Sequence, residues 1–402
     1  MPEQSLPRSS LVIDNVQVLT PEGWRHDASV WIERGKIRAI GRTAQAHAAQ
    51  RIDGRDGYLL PGIIDLHGDA FERHITPRAG TQFPLELALA ANDASLVANG
   101  ITTFYYSITD GFEPGPRSRD TVRRLLTALE RLMPRFGCQA RIHIRHEKVN
   151  TEHHAELLDW IAQGRIHLLS LNDHLPALDN QRKVERYLAG LQRRVSMSEA
   201  QTAAFLQQLQ GNRGLGEIQS LELAAAAREH GIALASHDDE TQEDVARSLA
   251  LGVSIAEFPL CAQTARACRE GGAAVLMGSP NLVRGGSHVG AIGVKEAVEQ
   301  GLVDVLCSDY HYPSLFSAAF MLAELALMPL AEAWKLVSEN PARAAGLGAS
   351  KGKIAEGYDA DLLLLSALDG SPLSLQSTWV GGVAVYARSA ARDTDCRSVA
   401  RA

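Results

Sequence analysis

Two hydrophobic rhythms divide the chain. Between residues 10 and 60 the apolar positions come in short runs rich in Val, Ile and Leu, as in SLVIDNVQVLT, ASVWIERGKIRAIG and RIDGRDGYLL. Asn-Val, Arg-Gly-Lys and Asp-Gly turn signals break them. The stretches KGKIAEGYDADLLLLSA and STWVGGVAVYA near the C-terminus have the same character, with glycines at the bends. Strand-rich ends around a different middle predict one small β-sandwich domain built from both termini, residues 1–60 and 350–402.

The middle, residues 61–349, alternates. The apolar runs GIIDLH, TTFYYS, ARIHIRHE, IHLLSLNDH, IALASHDD, VSIAEF, AAVLMGS and DVLCSD are separated by helical patterns such as DTVRRLLTALERLMPRF and SLELAAAAREHG. Eight strands with intervening helices predict a (β/α)8 barrel, an α/β fold. A doubly wound open sheet is the alternative, but it usually carries a glycine-rich phosphate loop after its first strand, and the sequence has none there. A polar helical segment, residues 179–210, interrupts the alternation and predicts an insertion near 179–213 over the rim of the barrel. It reads equally as a substrate-contacting lid or as a solvated helical pair.

The strand candidates share an ending. GIIDLHGD finishes in His67 and Asp69, which are two residues apart and so project from one face of a strand. ARIHIRHE finishes in Glu147, LLSLNDH in His174, IALASHDD in His237 and DVLCSD in Asp309. The C-terminal ends of barrel strands are where such enzymes place catalytic groups. Any one of these residues alone is an ordinary polar terminus. Six together, buried and facing one another, would cost too much without a cation. Histidine and carboxylate are the ligands of divalent ions in hydrolytic sites, and three of each suffice for two ions. Glu147 can offer an oxygen to each ion, and Asp309 can also accept a proton from water. These two are the expected catalytic residues. His143 and Arg145 share the face of Glu147 if the strand runs that far, and Asp238 or Asp239 could orient a ligand.

Composition narrows the partners. The chain has 402 residues, 45% apolar and 22% charged, with a net charge of −7, which argues against a general basic surface for nucleic acid. Cys138, Cys261, Cys268, Cys307 and Cys396 are odd in number and form no CxxC pair, so a reducing cytoplasm is expected. The N-terminal stretch shows no basic-then-apolar signal pattern, and no apolar run approaches the roughly 18 residues of a membrane helix. A soluble cytoplasmic protein, probing neither nucleic acid nor membrane, is the expectation.

The chain resembles the amidohydrolase superfamily. Within it the chain is similar to the diphosphatases of phosphonate catabolism that cleave α-D-ribose 1-methylphosphonate 5-triphosphate. The likeness covers nearly the whole chain and rests on ELALAANDASLVANGITTF, LLSLNDHLP, IALASHDDETQEDV, AEFPLCAQTARACREGGAAVLMGSPNLVRGGSHVG, LCSDYHYPSL and SENPARAAGL. It implies a metal-dependent hydrolase with two divalent ions, zinc first, manganese or iron also compatible. It counts Glu147 as the strand-four ligand and places His174, His237 and Asp309 on strands five, six and eight. It implies attack of water on the α-phosphorus with pyrophosphate leaving. Cationic donors should meet that charge: Arg284 in NLVRGGSH, with Gly285 and Gly286 bringing backbone N–H groups close, Ser287 and His288 adding hydrogen bonds, and Asn281 beside them. Arg73 and Arg78, in FERHITPR, form a second basic group suited to phosphate, unless they pair with Glu72. A phosphorylated small molecule is the implied substrate, and a homo-oligomer is the implied assembly.

One departure bears on substrate. The family more usually reads His-Thr-Asp-Asn in its first motif, and here His67-Gly68-Asp69-Ala70 removes two hydrogen-bonding side chains. An amidohydrolase or deaminase acting on a cyclic amide or amino heterocycle is therefore the alternative activity. A catalytically dead scaffold is a third reading, disfavoured by the full ligand set.

Overall fold

The computed structural model of the protein describes residues 10–41, 50–78, 80–113, 115–176, 178–194, 197–286, 290–366 and 373–388. Cys396 lies outside them. The chain divides into two compact units, Met1–Gly62 with Lys353–Ala402, and Ile63–Gly352.

The first unit contains β1 (Leu11–Thr20), β2 (Gly23–Glu33), β3 (Lys36–Gly41) and β4 (Gln50–Pro61) from the N-terminal part of the chain. Strands β13 (Leu362–Ser366), β14 (Ser374–Val380) and β15 (Val383–Ala387) come from the C-terminal part. They form one seven-stranded sheet in the order β15-β14-β13-β4-β1-β2-β3. Strands β1 and β4 pair in parallel and the other pairs are antiparallel. The β2–β3 hairpin turns on Arg34 and Gly35, both at positive φ, the geometry that matches the twist of two-residue hairpins. Ile13, Val30, Ile32, Ile37, Leu59 and Trp379 meet in its core.

The second unit is built on eight strands in sequence order: β5 (Ile63–Gly68), β6 (Ile101–Asp110), β7 (Gln139–Glu147), β8 (Leu168–Asn172), β9 (Ala233–His237), β10 (Ile255–Glu257), β11 (Ala274–Gly278) and β12 (Val305–Cys307). All neighbouring pairs are parallel. A parallel bridge between Gly68 and Asp309 joins the last strand to the first, so the ring is nearly closed. Tyr105, Leu168, Ala235, Ile255, Leu276 and Val305, each from a different strand, pack together in the core. Ring closure without free edges suits a sheet whose strands are apolar on both faces.

Between β8 and β9 the chain forms helices Gln181–Arg194, Glu199–Gly211 and Arg213–Glu229. The predicted insertion near 179–213 falls on the first two. It is not a bare solvated pair: Leu206 and Leu209 bury against Val149 and Leu175, with Val184, Tyr187, Leu188 and Phe205 packed around them. Among the described residues no helix is long and apolar enough to cross a membrane, and Cys138, Cys261, Cys268 and Cys307 form no disulfide.

Candidate metal centre

On several strands the inward face is apolar low in the barrel and ionisable at the C-terminal end. On β9, Ala235 belongs to the core and His237, two residues on, reaches the rim; on β10, Ile255 and Glu257 repeat the arrangement. Just beyond the strands the backbone turns left-handed at Asp238, Phe258 and Asp309, with φ of 57, 55 and 53°. Aspartate tolerates that region, whereas phenylalanine rarely enters it. Phe258 is held there by edge contacts to the rings of His67 and His237, 4.9 and 5.2 Å between centroids.

His67 is fully buried, and its Nδ1 lies 2.9 Å from Oε1 of the equally buried Glu257. Burial, then the neighbouring Arg145 and His237, holds the His67 pKa well below its ordinary value. The ring is neutral and its Nδ1–H donates to Glu257. His237 bridges two groups. Its Nδ1 faces Asp238 Oδ2 at 3.2 Å and His174 Nε2 at 3.3 Å. Its Nε2 lies 3.0 Å from Arg145 Nη2, and Arg145 Nη1 lies 3.7 Å from Asp69 Oδ2. His174 Nε2 is 3.6 Å from Asp238 Oδ2, while its Nδ1 meets Glu147 Oε1 at 2.5 Å. Burial would raise Glu147, but the adjacent His174 holds its carboxyl down at about 2. Asp69 N–H donates to Asp309 O and Asp309 N–H to His67 O, each at 2.9 Å. Burial and the Asp69 charge push Asp309 up to about 7, where a carboxyl exchanges protons at neutral pH.

The structure thus brings the six residues expected as metal ligands to one rim. The strand count differs from the one the resemblance implied. Glu147 ends the third barrel strand, His174 follows the fourth and His237 ends the fifth, because only β5 and β6 precede β7 in the ring and, among the described residues, no strand lies between β7 and β8 or between β8 and β9. Glu257 was missed, although it is the penultimate residue of VSIAEF and closes strand β10 at the same rim as the others. Strand β7 runs through Glu147, so His143, Arg145 and Glu147 alternate on one buried face. Asp238 lies in the cluster. Asp239 instead accepts hydrogen bonds from Ser236 and Ser248 and has a structural role.

The expected anion-binding residues fare unevenly. Arg284 is exposed and donates from Nη1 to Tyr310 Oη at 3.1 Å, beside Asp309 in the chain. Gly285 and Gly286 do not offer free N–H groups: these donate to Leu282 O and Asn281 O at 3.2 and 2.8 Å and stop the helix Ser279–Val283. Two glycines at positive φ serve that turn, which corrects their expected role. Ser287 and His288 lie outside the described residues. Asn281 Oδ1 is buried without a hydrogen-bond partner among them. Arg73 and Arg78 are exposed, and Glu72 pairs with Arg117 at 3.4 Å rather than with either.

A cavity of about 1050 Å³ opens above His174, His237 and Asp238, walled on one side by Lys183, Arg186 and Tyr187 of the inserted helix. Lys148, Lys183 and Arg213 on its wall pair with Glu217, Glu240 and Asp173 at 3.8, 2.5 and 2.9 Å. The donor chemistry fits a divalent cation. His67, His237 and Glu257 present donor atoms within 4.8 Å of one another, as do His174, His237 and Asp238, and the second group faces the cavity. The buried Glu257 Oε2 and His143 Nε2 have no hydrogen-bond partner among the described residues.

Comparison with known proteins agrees with this geometry. The amidohydrolase family profile matches residues 58–385. The chain is 35% identical over 383 residues to alpha-D-ribose 1-methylphosphonate 5-triphosphate diphosphatase of Escherichia coli (strain K12), covering 94% of this chain and 100% of that one. Among solved structures, dihydropyrimidinase from Brevibacillus agri NCHU1002 aligns over 94% of this chain and 95% of its own, with a TM-score of 0.62 and 16% identity. N-isopropylammelide isopropylaminohydrolase from Burkholderia multivorans ATCC 17616 aligns over 94% and 98%, with a TM-score of 0.62 and 18% identity. At such low identity these two likenesses speak for the fold alone. The length of the profile match and the full-length relative together establish that the chain belongs to the amidohydrolase family.

Proposed function

We propose that the protein is a metal-dependent hydrolase that cleaves α-D-ribose 1-methylphosphonate 5-triphosphate to the 5-phosphate and pyrophosphate in phosphonate catabolism. The observation that carries this reading is the 35% identity to the Escherichia coli diphosphatase across the whole length of that relative. The residues that would hold a divalent ion lie around His237: His174 and Asp238 against its Nδ1, with Glu147 behind His174, and Asp69, reached through Arg145, with His67 and Asp309 beside it, on the other side. Nitrogen and oxygen donors suit zinc first, with manganese and iron compatible. Such an ion, when bound, acts as a Lewis acid toward a phosphoryl oxygen and acidifies water.

The chain's own residues do the rest. Asp309 accepts the proton of the attacking water. Glu147 grips His174 at Nδ1 and fixes its ring over the cavity. Arg284, tethered to Tyr310 at the rim, meets phosphate oxygens, with Asn281 near it in the same segment. Lys183 and Arg186 stand on the cavity wall, within the space a triphosphate chain would enter.

The test is a hydrolysis assay on metal-loaded protein with pyrophosphate and orthophosphate detected separately. Pyrophosphate released from the ribosyl methylphosphonate triphosphate, and lost in Arg284→Ala, is the expected result. Metal-loaded protein that releases no pyrophosphate, but opens a dihydro-heterocyclic amide, would replace this activity with cyclic-amide hydrolysis.

A further inference from the structure

We propose that Phe258 is a positioning residue of the metal centre, whose ring sets the planes of the His67 and His237 imidazoles. The inference rests on the metal-dependent reading above and deepens it.

Strand geometry alone would send this side chain the other way. Successive residues of a strand point to opposite faces. Glu257, the last residue of β10, points inward and reaches His67 Nδ1 at 2.9 Å. Phe258 would then point outward, away from the site. Its φ of 55° turns the chain left-handed and brings the ring back over the rim. That conformation is disfavoured twice. A bulky side chain rarely enters the left-handed region. Phe258 also precedes Pro259, and a residue before proline prefers φ of about −120°. The turn persists because its backbone is clamped. Phe258 N–H donates to Leu276 O at 2.9 Å, Asp238 N–H to Glu257 O at 2.9 Å, and Leu260 N–H to Asp239 O at 3.1 Å. A strained residue held so firmly beside a site points to a task for its side chain.

The contacts of the ring define that task. It meets His67 at 4.9 Å between centroids and 85° between planes, and His237 at 5.2 Å and 67°. The two imidazoles are 5.7 Å apart, so a single ring stands against both. A hydrogen bond at Nδ1 fixes one atom of the His67 ring but leaves its tilt open. The aromatic edge removes that freedom, because edge-to-face contact has a preferred orientation that an aliphatic side chain lacks. Gly278, at the end of β11, makes room for the arrangement. A Cβ there would lie 3.5 Å from Phe258 Cε1 and 3.3 Å from Asp309 Oδ2. Phe258 thus packs on two of the expected ligands and shares the space above Gly278 with a third, while offering no donor atom of its own.

The experiment titrates the full chain, stripped with a chelator, with Co²⁺. Affinity is read by competition, and the visible absorption of the bound ion reports its ligand geometry. Phe258→Leu keeps most of the buried volume without a flat ring. Phe258→Gly removes the ring and relaxes the left-handed turn. Both variants are expected to bind Co²⁺ about 10-fold more weakly than wild type, with a shifted visible band. Circular dichroism confirms that each is folded, and should one fail to fold the other decides. Wild-type affinity and spectrum in folded Phe258→Leu would reduce the ring to packing volume and overturn the inference. The same result in folded Phe258→Gly would show that the imidazoles hold their planes without it, and overturns the inference equally. Either outcome leaves the metal-dependent function standing. Absence of Co²⁺ binding by wild type overturns the metal-dependent reading, and the role of Phe258 with it.

Discussion

The position of Gly68 is set by Phe104. A Cβ at residue 68 would lie 2.4 Å from Phe104 Cε2 and 2.9 Å from Ser308 Oγ. The space that a threonine side chain would need is filled by a fully buried ring on the neighbouring strand β6. The missing hydroxyl in the first motif is therefore a packing exchange and opens no extra room for substrate. Gly68→Thr is expected to cost about 2 kcal/mol through overpacking. Phe104→Ala alone costs about 3–5 kcal/mol as a cavity. In the double variant the overpacking disappears, so the combined loss falls short of the sum by about 1 kcal/mol or more. Urea denaturation of the four proteins measures this coupling, and strict additivity would refute it.

The Glu257–His67 pair predicts a joint effect on stability and metal. Glu257→Leu leaves the buried His67 Nδ1–H without its acceptor, at a cost of about 1–3 kcal/mol. The ring also loses the carboxylate that fixes its orientation. If the candidate centre binds as proposed, metal affinity falls about 10- to 100-fold, read by competition with a chelator. An unchanged affinity would place His67 outside the metal's reach.

Gly216 tests how the insertion is anchored. Gly216 lies in the first turn of the helix Arg213–Glu229, and within a helix Ala should outrank Gly by up to about 1 kcal/mol. Here a Cβ would lie 2.2 Å from Lys148 O, a backbone atom adjoining Glu147. Gly216→Ala is expected to destabilise the protein by about 2 kcal/mol despite the better propensity. Thermal unfolding followed by circular dichroism checks the sign; a raised midpoint would show that the helix can move away.

His167 gives a pH signature distant from the centre. Its Nδ1 accepts the Ile142 N–H at 3.1 Å, and burial, reinforced by Arg141, pushes the ring down to about 4. The unfolded chain, with a pKa of about 6.5, binds this proton more readily than the folded one. The contribution to stability is complete above pH about 6.5 and is lost as pH falls from there through about 4, on the order of 2 kcal/mol in all. His167→Gln should flatten the stability curve across that window, measured by urea denaturation at several pH values. An unchanged slope would mean that His167 is not the titrating group.

Which residues would stand at the rim was legible in the sequence. Strand periodicity puts His67 and Asp69 on one side of a strand, and an apolar run that ends in an ionisable residue marks a strand terminus facing a site. The barrel followed from eight such runs separated by helical patterns. Partnership was not legible. Glu257 meets His67 across 190 residues of chain, and Arg145 meets His237 across 92. The first contact spans the ring of strands that closes between Gly68 and Asp309, and the second forms because β7 and β9 both pair with β8. Local pattern also could not tell that the N–H groups of Gly285 and Gly286 are consumed by a helix stop, since the same glycines would suit an anion loop. Nor could it tell that Phe104 fills the space beside Gly68, because the two residues meet only when β5 and β6 pair. Local periodicity determined which side chains face inward at the top of the barrel. Their pairing, and with it the position left for a metal ion, was decided by closure of the sheet, which brings charges distant in sequence within a few ångströms of one another.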